Sequence, residues 1–417
     1  MRCINLIKWS KRLTFVSFII ISPLLSYKLI NLDEYVKNQK SSSKIFEEYY
    51  VNPKEVNIEF PDKKRNLIYI FVESLESTNT SKENGGIEEV SYIPNLEQLA
   101  LYNTNFSNTD KIGGALQLNG SGWTAGAMVS QTSGVPLKVS IDANSYSNYG
   151  EFLPGVYSLG DVLKDNGYNN YLMMGSDATF GGRKDYFTYH GNYTIYDYVY
   201  AKENGLIDKD YNVWWGYEDK KLFKFAKDKL LEISKYDEPF NFTMLTADTH
   251  FVDGYLDESC SKVFDSQYAN SFNCSDSMIY DFINWITKQD FYDNTTIIIT
   301  GDHLTMQSGF YEVGDNYDRT VYNVFLNSEV EPIKAKERLF TSVDMYPTTL
   351  ASLGVKIEGD RLGLGVNLFS SEQTLSEKLG FNYFYDELEK KSFFYDNELL
   401  GNSYYKMQEE LKGENNE

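Results

Sequence analysis

The chain has 417 residues, 42% hydrophobic and 24% charged, and its 39 Lys and Arg against 60 Asp and Glu leave a net charge of −21. The composition supplies ample material for a core and excludes disorder as the main state. So acidic a surface repels phosphate backbones and excludes nucleic acid as the partner. With three Cys and three His there is no multi-Cys zinc framework, and any imidazole chemistry falls to His190, His250 or His303.

The amino end comes first. Lys8, Lys11 and Arg12 precede a twenty-residue apolar stretch, 13–32, with a single charge at Lys28. Twenty helical residues span about 30 Å, the thickness of a bilayer's hydrocarbon. This predicts a transmembrane anchor at 13–32, a basic cytoplasmic end at 1–12 and export of the remainder. The alternative is a cleaved signal peptide with its apolar region at 14–25, which lacks a well-placed small-x-small site. Residues 33–64 read as a polar spacer lifting the body off the bilayer, 65–370 as the catalytic domain, and 371–417 as a helical segment with a solvated tail.

Within the body, apolar runs occupy 66–74, 170–176, 240–248, 295–302 and 321–327, and helical patterns occupy 156–167, 219–235 and 276–289. Near-continuous apolar strands alternating with amphipathic helices predict an α/β fold, a mainly parallel sheet with helices on both faces. Ligands of such sheets bind beyond the carboxyl ends of the strands. The residues that follow each run are therefore the candidates.

Glu73 ends the first run; alone it reads equally as a salt-bridge partner or a helix cap. The glycine-rich segment 111–137 leads into Thr124, which opens a helix of small residues ending near Gly134. A hydroxyl among the free N–H groups of a helix start is a good seat for a nucleophile attacking a phosphoester; alone, an N-cap is the simpler role. Arg183 follows Gly181 and Gly182 beyond the second run, and an arginine grips phosphate with two parallel hydrogen bonds. His190 reads as structural. His250 lies just past the third run. Cys260 and Cys274, in a polar segment, read as a disulfide if exported, or else as two unrelated thiols. The fourth run ends in Asp302 and His303, typical metal ligands, or alone a loop hydrogen-bond pair.

These pieces in this order resemble the alkaline phosphatase/sulfatase superfamily. Within it they resemble bacterial phosphoglycerol transferases: the lipoteichoic acid synthases and the transferases that decorate osmoregulated periplasmic glucans. The motifs that carry the resemblance are LIYIFVESLE (67–76), SGWTAGAMVSQTSGVPL (121–137), GSDATFGGRKDYF (175–187), ADTHFVDGY (247–255), CSDSMIYDFI (274–283), ITGDH (299–303), TSVDMYPTTLASLG (341–354) and RLGLGVNLF (361–369).

The resemblance implies that Glu73, Thr124, Asp302 and His303 hold one divalent cation, Mn²⁺ first, with Mg²⁺ or Zn²⁺ as alternatives. Thr124 would also be the nucleophile. Arg183 and His250 would bind the phosphoglycerol group, with His250 handling a proton or hydrogen bond. The implied reaction moves phosphoglycerol from a phosphatidylglycerol-type lipid to a glycan, through a phospho-threonine intermediate. The implied place is the bacterial inner membrane, single-pass, with the catalytic domain on the periplasmic or extracellular side. The rival readings are a phosphoethanolamine transferase or phosphodiesterase on the same site, and a non-catalytic envelope protein binding glycan or lipid. There are departures. Ser133 stands where the glucan-type enzymes carry Cys. Gly181 stands where the lipoteichoic acid synthases carry an aromatic residue. The chain shows one apolar span where those enzymes have several. No Cys- or Ser-x-Pro-x-Arg signature lies near Thr124, which disfavours sulfate ester hydrolysis.

Overall fold

The structure is a computed structural model that describes residues 41–138 and 151–401. The expected anchor at 13–32 and the tail beyond 401 lie outside the described residues, among which no helix is long and apolar enough to cross a membrane.

Seven strands form the main sheet: β1 (Asn66–Val72), β2 (Gly114–Ala115), β3 (Asn169–Met174), β4 (Thr194–Tyr196), β5 (Phe240–Leu245), β6 (Thr295–Gly301) and β7 (Val321–Leu326). Their spatial order is β2-β7-β6-β1-β5-β3-β4. From β6 across to β4 every pairing is parallel. The fifth apolar run, β7, turns back antiparallel to β6, and β2 pairs antiparallel to it. The continuous apolar runs follow from burial on both faces. Along β1, Leu67, Tyr69 and Phe71 enter one core, whereas Ile68, Ile70 and Val72 enter the other.

Helices cover both faces. Those that bear on the site are α1 (Thr124–Ser133), α2 (Leu159–Asp165), α3 (Arg183–Tyr189), α4 (Asp219–Ile233) and α5 (Gln267–Ile286). On α4 the residues Leu222, Phe223, Ala226, Leu230 and Ile233 are buried, the spacing of one helical face. The last of these helices begins at Gln267, not at 276 as its sequence suggested, with Ser266 Oγ accepting from Ala269 N at 3.3 Å. Its first turns bury Tyr268, Ala269 and Phe272 among Asn and Ser, a polar cover that hides the helical period. Cys260 and Cys274 are joined, tying the preceding loop to this helix. Closing so short a loop contributes about 3 kcal/mol in the chain-entropy account.

Residues 41–64 are not a free spacer, which corrects the expectation for that stretch. Ile58–Glu59 pairs antiparallel with Lys356–Ile357, and the short helix Ile45–Tyr49 buries Ile45 and Phe46. The Phe46 ring lies 5.2 Å from that of Tyr395, and Ser43 Oγ donates to Glu387 Oε2 at 2.6 Å. Two apolar residues inside a charged run give too weak a pattern to declare a packed helix. Phe46→Ala is expected to cost about 3 kcal/mol, measured as a lower urea midpoint. Proteolysis of the 41–64 segment should speed up with it.

Candidate active site

Strand register brings the first two acids together. Val72 of β1 lies opposite Gly301 of β6, so the next residues, Glu73 and Asp302, leave the sheet side by side. Beyond Glu73 the chain turns sharply through Ser74, which has φ 56°. A left-handed residue with a side chain costs on the order of 1 kcal/mol. Two bonds offset it: Ser74 N donates to Asp302 Oδ1 at 2.8 Å, and Ser74 Oγ donates to Glu73 Oε1 at 2.7 Å.

His303 is fixed from behind. Its Nδ1 bonds the carbonyl of Leu304 at 2.8 Å. A carbonyl only accepts, so the ring proton sits on Nδ1 and the Nε2 lone pair faces the cluster. Nε2 lies 3.5 Å from Glu73 Oε1 and 3.4 Å from Asp302 Oδ2. Thr124 completes the group. Its Oγ1 is 3.2 Å from Glu73 Oε2 and 3.5 Å from His303 Nε2. Thr124 is the first residue of α1 and not its cap; the N-cap is Trp123, which makes no side-chain capping bond. The hydroxyl thus sits in the field of the helix start without being used to build it. Behind it, a Cβ on Gly126 would lie 2.5 Å from the Gly120 carbonyl, so only glycine lets the turn close there.

The electrostatics reflect three ionisable side chains out of water. Burial, then the neighbouring Glu73 charge, pushes the Asp302 carboxyl up to about 7. For Glu73 burial works upward, but the His303 and His250 rings outweigh it and the net direction is down. For His303 burial works downward, but Asp302 and Glu73 outweigh it and the ring is raised. Asp302 Oδ2 is buried with no hydrogen-bond partner. Glu73, Asp302 and His303 each bring one ligand atom within 4.8 Å of the others. An orphaned carboxylate oxygen beside a second carboxylate and an imidazole lone pair is the donor set of a divalent cation, and the residues fit one.

Arg183 begins α3 after Gly181 (φ 68°) and Gly182 (φ 72°). A Cβ on Gly182 would meet the Phe152 ring at 2.6 Å, so the arginine's approach depends on that glycine. Its Nε donates to Phe180 O at 2.9 Å and its Nη2 to Asp177 O at 2.8 Å. These hold the guanidinium by backbone carbonyls alone, and among the described residues no carboxylate pairs with it. Burial pulls it down to about 10, opposed chiefly by the Glu73 charge. A buried cation with no carboxylate in direct contact has room to pair with an anion.

His250 lies on the turn after β5. Asp219, at the start of α4, holds that turn by accepting from Ala247 N at 2.9 Å and Asp248 N at 3.0 Å. Glu73, Thr124, Arg183 and His250 all line one open cavity of about 1010 Å³ at the carboxyl ends of the parallel strands. His190 lies elsewhere, buried, with Nδ1 at 2.9 Å from Asp161 and Nε2 at 2.7 Å from Phe152 O. Sequence reasoning missed the apolar lining: Trp123, Phe180, Trp215 and Met306. The adjacent pair Trp214-Trp215 in a loop was the available signal.

The sulfatase family model matches residues 65–355. The chain is 31% identical over 320 residues to phosphoglycerol transferase I of Xanthomonas campestris pv. campestris, covering 74% of this chain and 43% of that protein. It is 30% identical over 357 residues to phosphoglycerol transferase I of Shigella flexneri, covering 83% and 44%. The chain thus spans less than half the length of the curated relatives it matches. Among solved structures it resembles a lipoteichoic acid synthase from Listeria monocytogenes, with a TM-score of 0.58 at 19% identity, over 76% of this chain and 79% of that one.

Proposed function

The chain belongs to the sulfatase family, in the alkaline phosphatase superfamily, and we propose that it transfers phosphoglycerol from a phosphatidylglycerol-type lipid to a periplasmic-glucan-like glycan. The observation that carries this reading is the Thr124 hydroxyl, set at a helix start 3.2 Å from Glu73 and 3.5 Å from His303. It shares its cleft with Arg183, whose guanidinium is held by the backbone carbonyls of Phe180 and Asp177.

Glu73, Thr124, Asp302 and His303 are the four proposed ligands of one divalent cation. Three oxygens and an imidazole suit Mn²⁺, with Mg²⁺ or Zn²⁺ as alternatives. A cation held by these residues would lower the pKa of the Thr124 hydroxyl. Thr124 Oγ1 then bonds to phosphorus and gives up its proton. The bond from phosphorus to the diacylglycerol oxygen breaks, and that oxygen takes up a proton. A sugar hydroxyl next loses its proton and bonds to phosphorus, while the bond from phosphorus to Thr124 Oγ1 breaks and that oxygen regains a proton. Arg183 and the N–H groups of α1 stabilise the equatorial oxygens. His250 keeps Nδ1 on the Phe251 carbonyl at 2.6 Å, which leaves Nε2 for the substrate's proton or hydrogen bond.

We place the chain in the bacterial inner membrane, anchored by 13–32, with the domain outside. The Cys260–Cys274 bridge supports an oxidising compartment, and an anchor raises the local concentration of a lipid donor. Four metal-ligand types in contact argue against a non-catalytic binding protein, since retired sites lose ligands. Mass spectrometry of the Thr124 peptide after exposure to labelled phosphatidylglycerol or phosphatidylethanolamine tests donor and nucleophile together. A phosphoglycerol adduct on Thr124 is expected. A phosphoethanolamine adduct would change the donor, and an unmodified peptide in a turning-over enzyme would remove the covalent step.

A further inference from the structure

Exposed apolar side chains border the cleft. Phe180 is 47% exposed, Trp215 45% and Met306 39%, and all three line the cavity that holds Thr124. The Phe180 and Trp215 ring centroids are 6.1 Å apart, Trp215 and His250 4.6 Å, and His250 and Phe251 4.8 Å. One wall is therefore a continuous aromatic series passing the histidine, and Met306, from the loop after His303, lines the same cavity. Val252, next to Phe251, is 63% exposed.

The reaction geometry gives this wall an occupant. In an in-line displacement the leaving oxygen departs on the side of phosphorus opposite the nucleophile. Thr124 stands on the buried cluster of Glu73 and His303, so the departing group is directed away from that cluster and out along the cleft. Phe180, Trp215 and Met306 line that cleft, aromatic and thioether side chains suited to hydrocarbon. A net charge of −21 repels an anionic lipid at long range, and apolar contact at the cleft adds to the grip of Arg183 in offsetting that repulsion.

We propose that Phe180, Trp215 and Met306 form the seat for the acyl-glycerol leaving group, and that the enzyme selects its lipid donor by burying hydrocarbon at the cleft mouth. The proposal rests on the phosphoryl-transfer reading above and extends it to the leaving group.

The test uses the full-length chain at one fixed detergent concentration. Substrates are phosphatidylglycerols with two butanoyl or two hexanoyl chains, and 4-nitrophenyl phosphoglycerol, which has no acyl chain. For the wild-type chain kcat/KM should rise roughly tenfold from butanoyl to hexanoyl, the worth of about two buried methylenes. Partition into detergent is common to all variants. In Trp215→Ser/Met306→Ser the hexanoyl-to-butanoyl ratio should therefore fall several-fold, and Trp215→Phe should largely restore it. An unchanged ratio in the double variant overturns the seat. So does a variant that keeps the ratio but shows a raised KM for a glucan acceptor, which would give the wall to sugar. Turnover of the nitrophenyl diester without any chain-length preference refutes the seat alone. Turnover of no diester at all refutes the phosphoryl-transfer reading, and the seat with it.

Discussion

Thr124→Ala is expected to lower turnover by about 10⁴-fold or more, the scale on which removing a covalent nucleophile acts. The change should be nearly silent in stability. Thr124 does not cap α1, and its hydroxyl bonds only within the cluster. A shift within about 0.5 kcal/mol is expected in urea melts. Thr124→Ser, which keeps an oxygen at the same place, should retain more activity than the alanine variant. Transferase activity in Thr124→Ala equal to that of the natural chain would eliminate the proposed intermediate.

Chelation is the second large effect. Activity should vanish with a strong chelator and return on adding Mn²⁺. The pH dependence of metal binding follows from the cluster's own titration. Asp302 is raised to about 7 and His303 is also raised, so below neutrality the metal-free cluster holds protons that the cation must displace. Both ligands bind only in their deprotonated forms. Apparent affinity should therefore be weak in mild acid, climb as pH rises through about 7, and flatten above. Calorimetry in two buffers of different ionisation enthalpy would count the protons released. Asp302→Asn, which removes the charge while keeping the shape, should weaken binding by about 100-fold or more. An affinity independent of pH, or activity indifferent to chelator, would refute the metal centre.

The strands were legible because two-sided burial writes itself into sequence. Every residue from Leu67 to Val72 is buried, alternating between two cores, and the shortness and β-branched, aromatic content of NLIYIFV favour a strand over a buried helix. The strand ends also pointed to the chemistry. What sequence alone does not carry is register. Glu73 and Asp302 meet because Val72 pairs with Gly301, a match set by packing and invisible in either segment. The same holds for Thr124, whose capping and nucleophilic readings differ only by whether Trp123 or Thr124 is the cap, a one-residue distinction below the precision of any pattern. Trp215 escaped notice because a loop tryptophan has no periodicity to mark it. The segment around Phe46 escaped because its partners, Phe394 and Tyr395, lie at the far end of the chain.

The docking of residues 41–64 has a mechanical consequence. Ser43 Oγ on Glu387 and the Phe46 ring against Tyr395 fasten the start of this segment to the far end of the folded body. A pull applied at residue 41 is therefore met as shear across that joint, and 41–64 cannot pay out as slack.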